Sequence, residues 1–154
     1  MIVAEVQFDN TLKSGGHIYL ISCSRHKVLY VGQTNQKVGA LGRLSQHVSE
    51  TSSNTFIKRT KQIRRIDEIN LGAVSFYAVR LPSERMFHSQ ARDYREAVEH
   101  IVQTNVRNYI CREKTGYLLV SLTDANGYCR DEAVRAAADS VFAKLEPALA
   151  KKVD

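Results

Sequence analysis

The chain has 154 residues, a formal net charge of +6 from 22 Lys+Arg against 16 Asp+Glu, and a pI near 9.3. That length suits one domain, the 44% hydrophobic content is enough for a packed core, and the positive balance favours a polyanionic partner. No apolar run approaches the roughly 20 residues that span a bilayer, and Met1-Ile2-Val3-Ala4-Glu5 lacks the pattern of a signal peptide, so a cytoplasmic protein with no membrane partner is expected.

Residues 2–8 alternate loosely around Ile2, Val3, Val6 and Phe8 and predict a short strand, followed by a loop over 9–16. Ile18-Tyr19-Leu20-Ile21 and Val28-Leu29-Tyr30-Val31 predict a hairpin, joined by the polar turn Ser22 to Lys27. Gly32 is expected to break the second strand, and Gly39 and Gly42 to allow a tight start to a helix. On that helix Leu41, Leu44 and Val48 share one face, while Arg43 and His47, four apart, point together from another.

A polar linker, 49–55, leads to a helix expected from Phe56 to about Asn70, with Asn54 or Thr55 as its cap. Ile57, Ile63, Ile66 and Ile69 are its candidate buried residues. It carries Lys58, Arg59, Lys61, Arg64 and Arg65, which read as phosphate contacts for DNA or as a solvated face partly neutralised by Asp67 and Glu68. Val74–Leu81 predicts a third strand. A long helix follows, from Ser89 to about Asn105, with Tyr94, Val98, Ile101 and Val102 as its core stripe. Glu99 lies on the shoulder of that stripe and Glu96 points nearly away from it.

Tyr117–Leu122 predicts another strand, and Asp124 to Gly127 a turn. The last helix, Asp131 to about Lys152, has Ala133, Val134, Ala137, Val141 and Leu145 as its stripe and is expected to break or bend at Pro147. Cys23, Cys111 and Cys129 have no metal-ligand spacing and read as free thiols, and His26, His88 and His100 as structural or exposed.

His17-Ile18-Tyr19, Tyr30-Val31-Gly32-Gln33-Thr34 and the pair Arg43 and His47 together resemble the GIY-YIG nuclease family. The tyrosines are eleven apart, as that family has them, and Arg-x-x-x-His follows one helix later. His17 stands where the family has glycine, with Gly16 preceding it. The resemblance covers roughly residues 16–110 and leaves 111–154 as a C-terminal extension, either packing, specificity or dimerisation element. It implies an α/β (α+β) fold: a small central sheet of about three strands with the tyrosine hairpin at its heart, flanked by helices, and a C-terminal strand–helix addition.

The resemblance further implies a metal-dependent endonuclease of restriction, repair or phage type acting on DNA phosphodiesters. Tyr19 would be the general base, with Tyr30 across the hairpin, although the two roles are interchangeable on sequence grounds. Arg43 would clamp the scissile phosphate, and His47 would hydrogen-bond that phosphate or the attacking water. One carboxylate, Glu99 rather than Glu96, would hold magnesium or manganese among waters. Gln33 and Thr34 would contact the DNA backbone, and Asn108 or Asn105 would support the site. Cutting double-stranded DNA with one site per chain implies a homodimer. The competing reading is a non-catalytic nucleic-acid-binding module with the same fold, but a decayed site would have lost one of these residues.

Overall fold

A computed structural model of the chain describes residues 3–7, 14–49 and 54–151. The expected positions of Ile2 and Phe8, most of the loop over 9–16, the middle of the 49–55 linker and the end of the last helix at Lys152 lie outside the described residues. β1 (Val3–Gln7), β2 (His17–Cys23), β3 (Val28–Thr34), β4 (Ala73–Arg80) and β5 (Leu118–Leu119) form one sheet in the order β1-β4-β2-β3-β5. β2 is antiparallel to both neighbours, while β1 runs parallel to β4 and β5 parallel to β3. The three-stranded core expected around the hairpin is β4-β2-β3, and the strands anticipated near the chain ends extend its edges.

Every residue of β2 is buried, because helices cover both faces of the sheet. Alternation then sorts the side chains. Tyr19, Ile21, Tyr30, Phe76 and Ala78 join one core cluster with Ala40, Leu44 and Phe56 from α1 (Gly39–Val48) and α2 (Thr55–Arg64). Ile18, Leu20, Leu29, Val31, Tyr77 and Val79 join another with α4 (Asp93–Arg112) and α5 (Glu132–Ala150). Val134, Ala137, Val141 and Leu145 of α5 are buried in that second cluster, so the C-terminal extension has a packing role; Ala133 faces out.

Several local expectations are corrected. Gly32 does not break the strand: β3 continues to Thr34, and Gly32 pairs with Tyr19. α2 stops at Arg64 rather than Asn70, because Arg65 turns left-handed (φ 53°) and the backbone N–H groups of Arg65 and Ile66 both donate to the Lys61 carbonyl. Its buried residues are Phe56 and Thr60, and Ile63 is exposed. Asn54 precedes this helix without a side-chain cap and instead donates to the Ser49 carbonyl. A short helix, α3 (Arg85–His88), was not anticipated, and α4 begins at Asp93 and runs on to Arg112, so Asn108 is an exposed helical residue. α5 continues through Pro147 without ending there.

β5 is shorter than the predicted strand. The Leu118 and Val120 N–H groups donate to the Lys27 and Leu29 carbonyls, and then the chain leaves the sheet. At the next rung, side chains replace backbone: Val31 N–H donates to Ser121 Oγ (2.9 Å), and Gln103 Nε2 donates to the Val31 carbonyl (3.2 Å). That gap in the edge of β3 positions the site.

Candidate active site

Tyr19 and Tyr30 stand on the same face of adjacent strands, with ring centroids 6.3 Å apart and planes 16° from parallel. Gly32 lies beside Tyr19 across the ladder, and a Cβ there would run into the Tyr19 ring and hydroxyl. The motif glycine therefore makes room for the tyrosine. Gly16 performs a similar service before β2. Its N–H donates to His88 Nδ1 (2.9 Å), and a side chain would strike the Phe87 carbonyl. The tight start that the family glycine provides is thus met one residue early, with His17 fully buried.

α1 delivers Arg43 and His47, but to different environments. His47 is fully buried, with its ring centroid 4.8 Å from that of Tyr30 and Nε2 2.7 Å from the Tyr19 hydroxyl. Nδ1 of the same ring has no hydrogen-bond partner among the described residues. Burial, and then the positive charge of Arg43, lower the His47 pKa to about 3, so the ring is neutral. Arg43 is half-buried and donates to Gln46 Oε1 (2.7 Å), which also accepts from Gln36 Nε2 (3.3 Å). Burial pushes the Tyr19 hydroxyl well above the usual tyrosine range, and Tyr30 adds to this, while Arg43 at the hydroxyl and its charge pull the other way. Tyr30 is raised by burial and by the Glu99 charge.

Glu99 comes from the helix packed on the opposite face, yet it is electrostatically coupled to both tyrosines, Arg43 and Arg59. It occupies the gap at the sheet edge. Its Oε1 accepts from Thr123 Oγ1 (2.9 Å) and Gln103 Nε2 (3.1 Å), and Gln103 Oε1 accepts the Thr123 N–H. Oε2 accepts no hydrogen bond among the described residues. Burial raises the Glu99 pKa to about 7, against the opposing pull of the Thr123 hydroxyl. Glu96 is partly exposed and pairs with Arg92 at 3.5 Å. Of the two glutamates, Glu99 is the one at the tyrosines.

The cations of α2 do not share one face, since successive residues turn by about 100°. Arg59 is half-buried and close enough to Tyr30 and Glu99 to favour their ionised forms. Lys58 is exposed and Lys61 half-exposed. Arg64 NH2 donates to the Lys27 carbonyl at the hairpin turn, and Arg65 is an exposed helix terminator. Gln33 accepts from Arg95 Nε (3.0 Å), and Thr34 is buried with its hydroxyl accepting the Gln36 N–H. His26, His88 and His100 each bond a backbone carbonyl or amide.

Gln103, Thr123, Ser121, Gln46 and Arg95 were not anticipated. Gln103 had a signal, because it sits four residues after Glu99 on one helix and therefore beside it. Thr123 and Ser121 meet the site only through the fold.

The family model for the GIY-YIG catalytic domain matches residues 15–96. The matched stretch includes Tyr19, Tyr30, Arg43 and His47 and stops three residues before Glu99. No curated protein and no solved structure gives a significant match to the chain.

Proposed function

The chain belongs to the GIY-YIG family, whose domain implies a nuclease-type fold and a nucleic-acid substrate, and from that premise we propose that it is a metal-dependent endonuclease hydrolysing DNA phosphodiester bonds. The observation that carries this reading is the buried Tyr19–His47 hydrogen bond of 2.7 Å, with Glu99 electrostatically coupled to the same tyrosine.

In-line attack by water needs a proton acceptor, positive charge on the phosphoryl oxygens and help for the leaving oxygen. Arg43 supplies the charge through its planar fork, held by Gln46. A free tyrosinate at position 19 is too costly to serve as the base, because burial raises its pKa. With the His47 proton on Nδ1, Nε2 takes the Tyr19 hydroxyl proton as Tyr19 takes one from water. His47 is neutral, so its Nε2 lone pair is open to the Tyr19 proton, and the shared proton avoids a free tyrosinate, although burial also makes the ring a weak base. A phosphate on Arg43 cancels the guanidinium charge that is the second cause of the low His47 basicity. Tyr30 packs against this pair and orients the water or a phosphate oxygen.

The residues fit a divalent ion that keeps most of its waters. Glu99 offers one uncommitted oxygen, and no group of three or more His, Cys, Asp or Glu forms a fuller shell among the described residues. Magnesium, or manganese in its stead, tolerates such a site. Held by Glu99, such an ion would supply Lewis-acid stabilisation for a departing oxygen. Lys58, Arg59, Lys61, Arg64 and Arg65 around α2, with Gln33 and Thr34 at the end of β3, are the residues we assign to contact with double-stranded DNA. One such cluster per chain cuts both strands through a homodimer.

The test is cleavage of supercoiled plasmid with magnesium by the parent and by Tyr19→Phe, Arg43→Ala, Glu99→Ala and Glu96→Ala. The first three lose about 10²–10⁴ in rate and Glu96→Ala keeps most of it. Cleavage by Arg43→Ala equal to the parent's sinks the proposed site. DNA binding without cleavage by the parent identifies a non-catalytic module.

A further inference from the structure

Arg95 is the most anomalous residue in the fold outside the tyrosine cluster. It stands in the first turn of α4 and is only 2% exposed, yet it makes no ion pair among the described residues. Its donors go to neutral oxygens: Nε to Gln33 Oε1 (3.0 Å), and NH1 to the Ser89 carbonyl (2.7 Å) and the Phe87 carbonyl (3.3 Å). Those bonds satisfy donors, and the carboxylate that acts on the charge, Glu96, makes no ion pair with it and pairs with Arg92 instead. A buried cation without a counter-charge is costly, and natural interiors avoid it. A neutral side chain holding the same carbonyls would cost less, so the positive charge itself needs an explanation.

The surroundings give one. Arg95 borders an open cleft of about 340 Å³ whose walls include Gln33, Thr34, Asn35, Arg43 and Arg92, and no carboxylate is among the residues that line it. Asn35 is fixed there by donating to the His88 and Ser89 carbonyls (3.0 and 2.8 Å), and Gln33 is fixed by Arg95. The nearest acid, Glu96, is engaged by Arg92. Three guanidiniums and the Gln33 amide NH2 share one concave space whose lining has no carboxylate, a setting that suits an anion.

We propose that Arg95 is the floor of a second phosphate subsite, which takes the DNA backbone phosphate next to the one held by Arg43. This rests on the nuclease reading for the role of Arg43. The subsite fixes the register of the strand, so that two neighbouring phosphates rather than one seat the scissile bond. Binding the phosphate supplies a direct counter-charge where the fold offers only the distant pull of Glu96, and Arg92 closes over it from the rim.

The experiment is a salt titration of duplex DNA binding by fluorescence anisotropy, in EDTA, so that cleavage plays no part. Each phosphate contact contributes about one to the slope of log K against log salt. Arg95→Met is expected to lower that slope by about one, and Arg95→Lys to restore most of it. An Arg95→Met protein that melts earlier but keeps the parent slope overturns the proposal and makes Arg95 a structural clamp. If Arg95→Met does not fold, exposed Arg92→Ala takes its place. It must then reduce the slope with an unchanged melting temperature, and an unchanged slope overturns the subsite. A parent protein that binds with the expected slopes but never cuts defeats the nuclease reading and leaves the subsite standing.

Discussion

The two faces of the sheet are built on different terms. The face under α4 and α5 is packed mainly with Val, Leu, Ile and Ala, and most of its side chains have no polar atom to satisfy. The face under α1 and α2 buries two tyrosines and a histidine in an otherwise apolar cluster. Glu99 reaches the latter from the former, through the gap beside Val31. The first face holds the molecule together by transfer of apolar area. The second accepts a neutral histidine with a nitrogen unpartnered among the described residues, a tyrosine hydroxyl far from ionisation and a carboxyl whose pKa burial raises to about 7. Stability and chemistry have been given separate sides of one sheet.

That division can be broken from either side. The largest effect is expected from Gly32→Ala, where the new methyl must displace the Tyr19 ring. Moving a reacting group by about 1 Å costs on the order of 10² in rate, and overpacking adds about 1–3 kcal/mol of instability. Plasmid cleavage and urea unfolding measure the two. A fully active Gly32→Ala enzyme would show that the ring position does not matter.

Leu145→Ala cuts into the opposite face, where this side chain is 1% exposed. It should cost about 2–5 kcal/mol in unfolding free energy, with the cleavage rate of the folded fraction within about twofold of the parent. A rate loss as large as that of the tyrosine variants would mean that the two faces are not separable.

Glu99→Gln tests the seam between them, and its effect on stability is the smallest of the three. The ordinary value for this carboxyl is 4.5, and burial raises it to about 7, so the folded chain binds a proton the unfolded chain has lost between those values. Stability therefore falls as pH rises through that window and stays low above it. Glutamine removes the penalty, so the variant should be about 1–3 kcal/mol more stable than the parent at pH 8. At pH 4 the two should be nearly equal. The same gain at both pH values would assign it to something other than ionisation.

Most of the tyrosine face was legible in the sequence, because it depends on local patterns. Apolar runs around Tyr19 and Tyr30 bounded by a polar turn, and a four-residue spacing from Arg43 to His47, need no knowledge of the rest of the chain. Legibility ended where distant segments decide. Gly32 reads as a breaker until its neighbour is known to be a tyrosine ring on the adjacent strand. Tyr117–Leu122 reads as a full strand, yet side chains of Ser121 and Gln103 occupy the Val31 rung. Arg95 had a signal that its charge hides, because it lies three and seven residues before Val98 and Val102 and so shares their buried face. Pro147 reads as a break, but the buried stripe continues past it through Ala148 and Leu149.

The short β5 carries a consequence for how this molecule divides. The stretch that matches the family ends at residue 96, while the carboxylate and the groups that hold it, Gln103 and Thr123, lie beyond. The part inherited as a recognisable pattern and the part that sets the acidity of its glutamate are thus different lengths of chain. A hybrid joining residues 15–96 to another C-terminal segment would keep both tyrosines but take from that segment both the acid beside them and its tuning. In this chain the tail is a setting screw for the motif it follows.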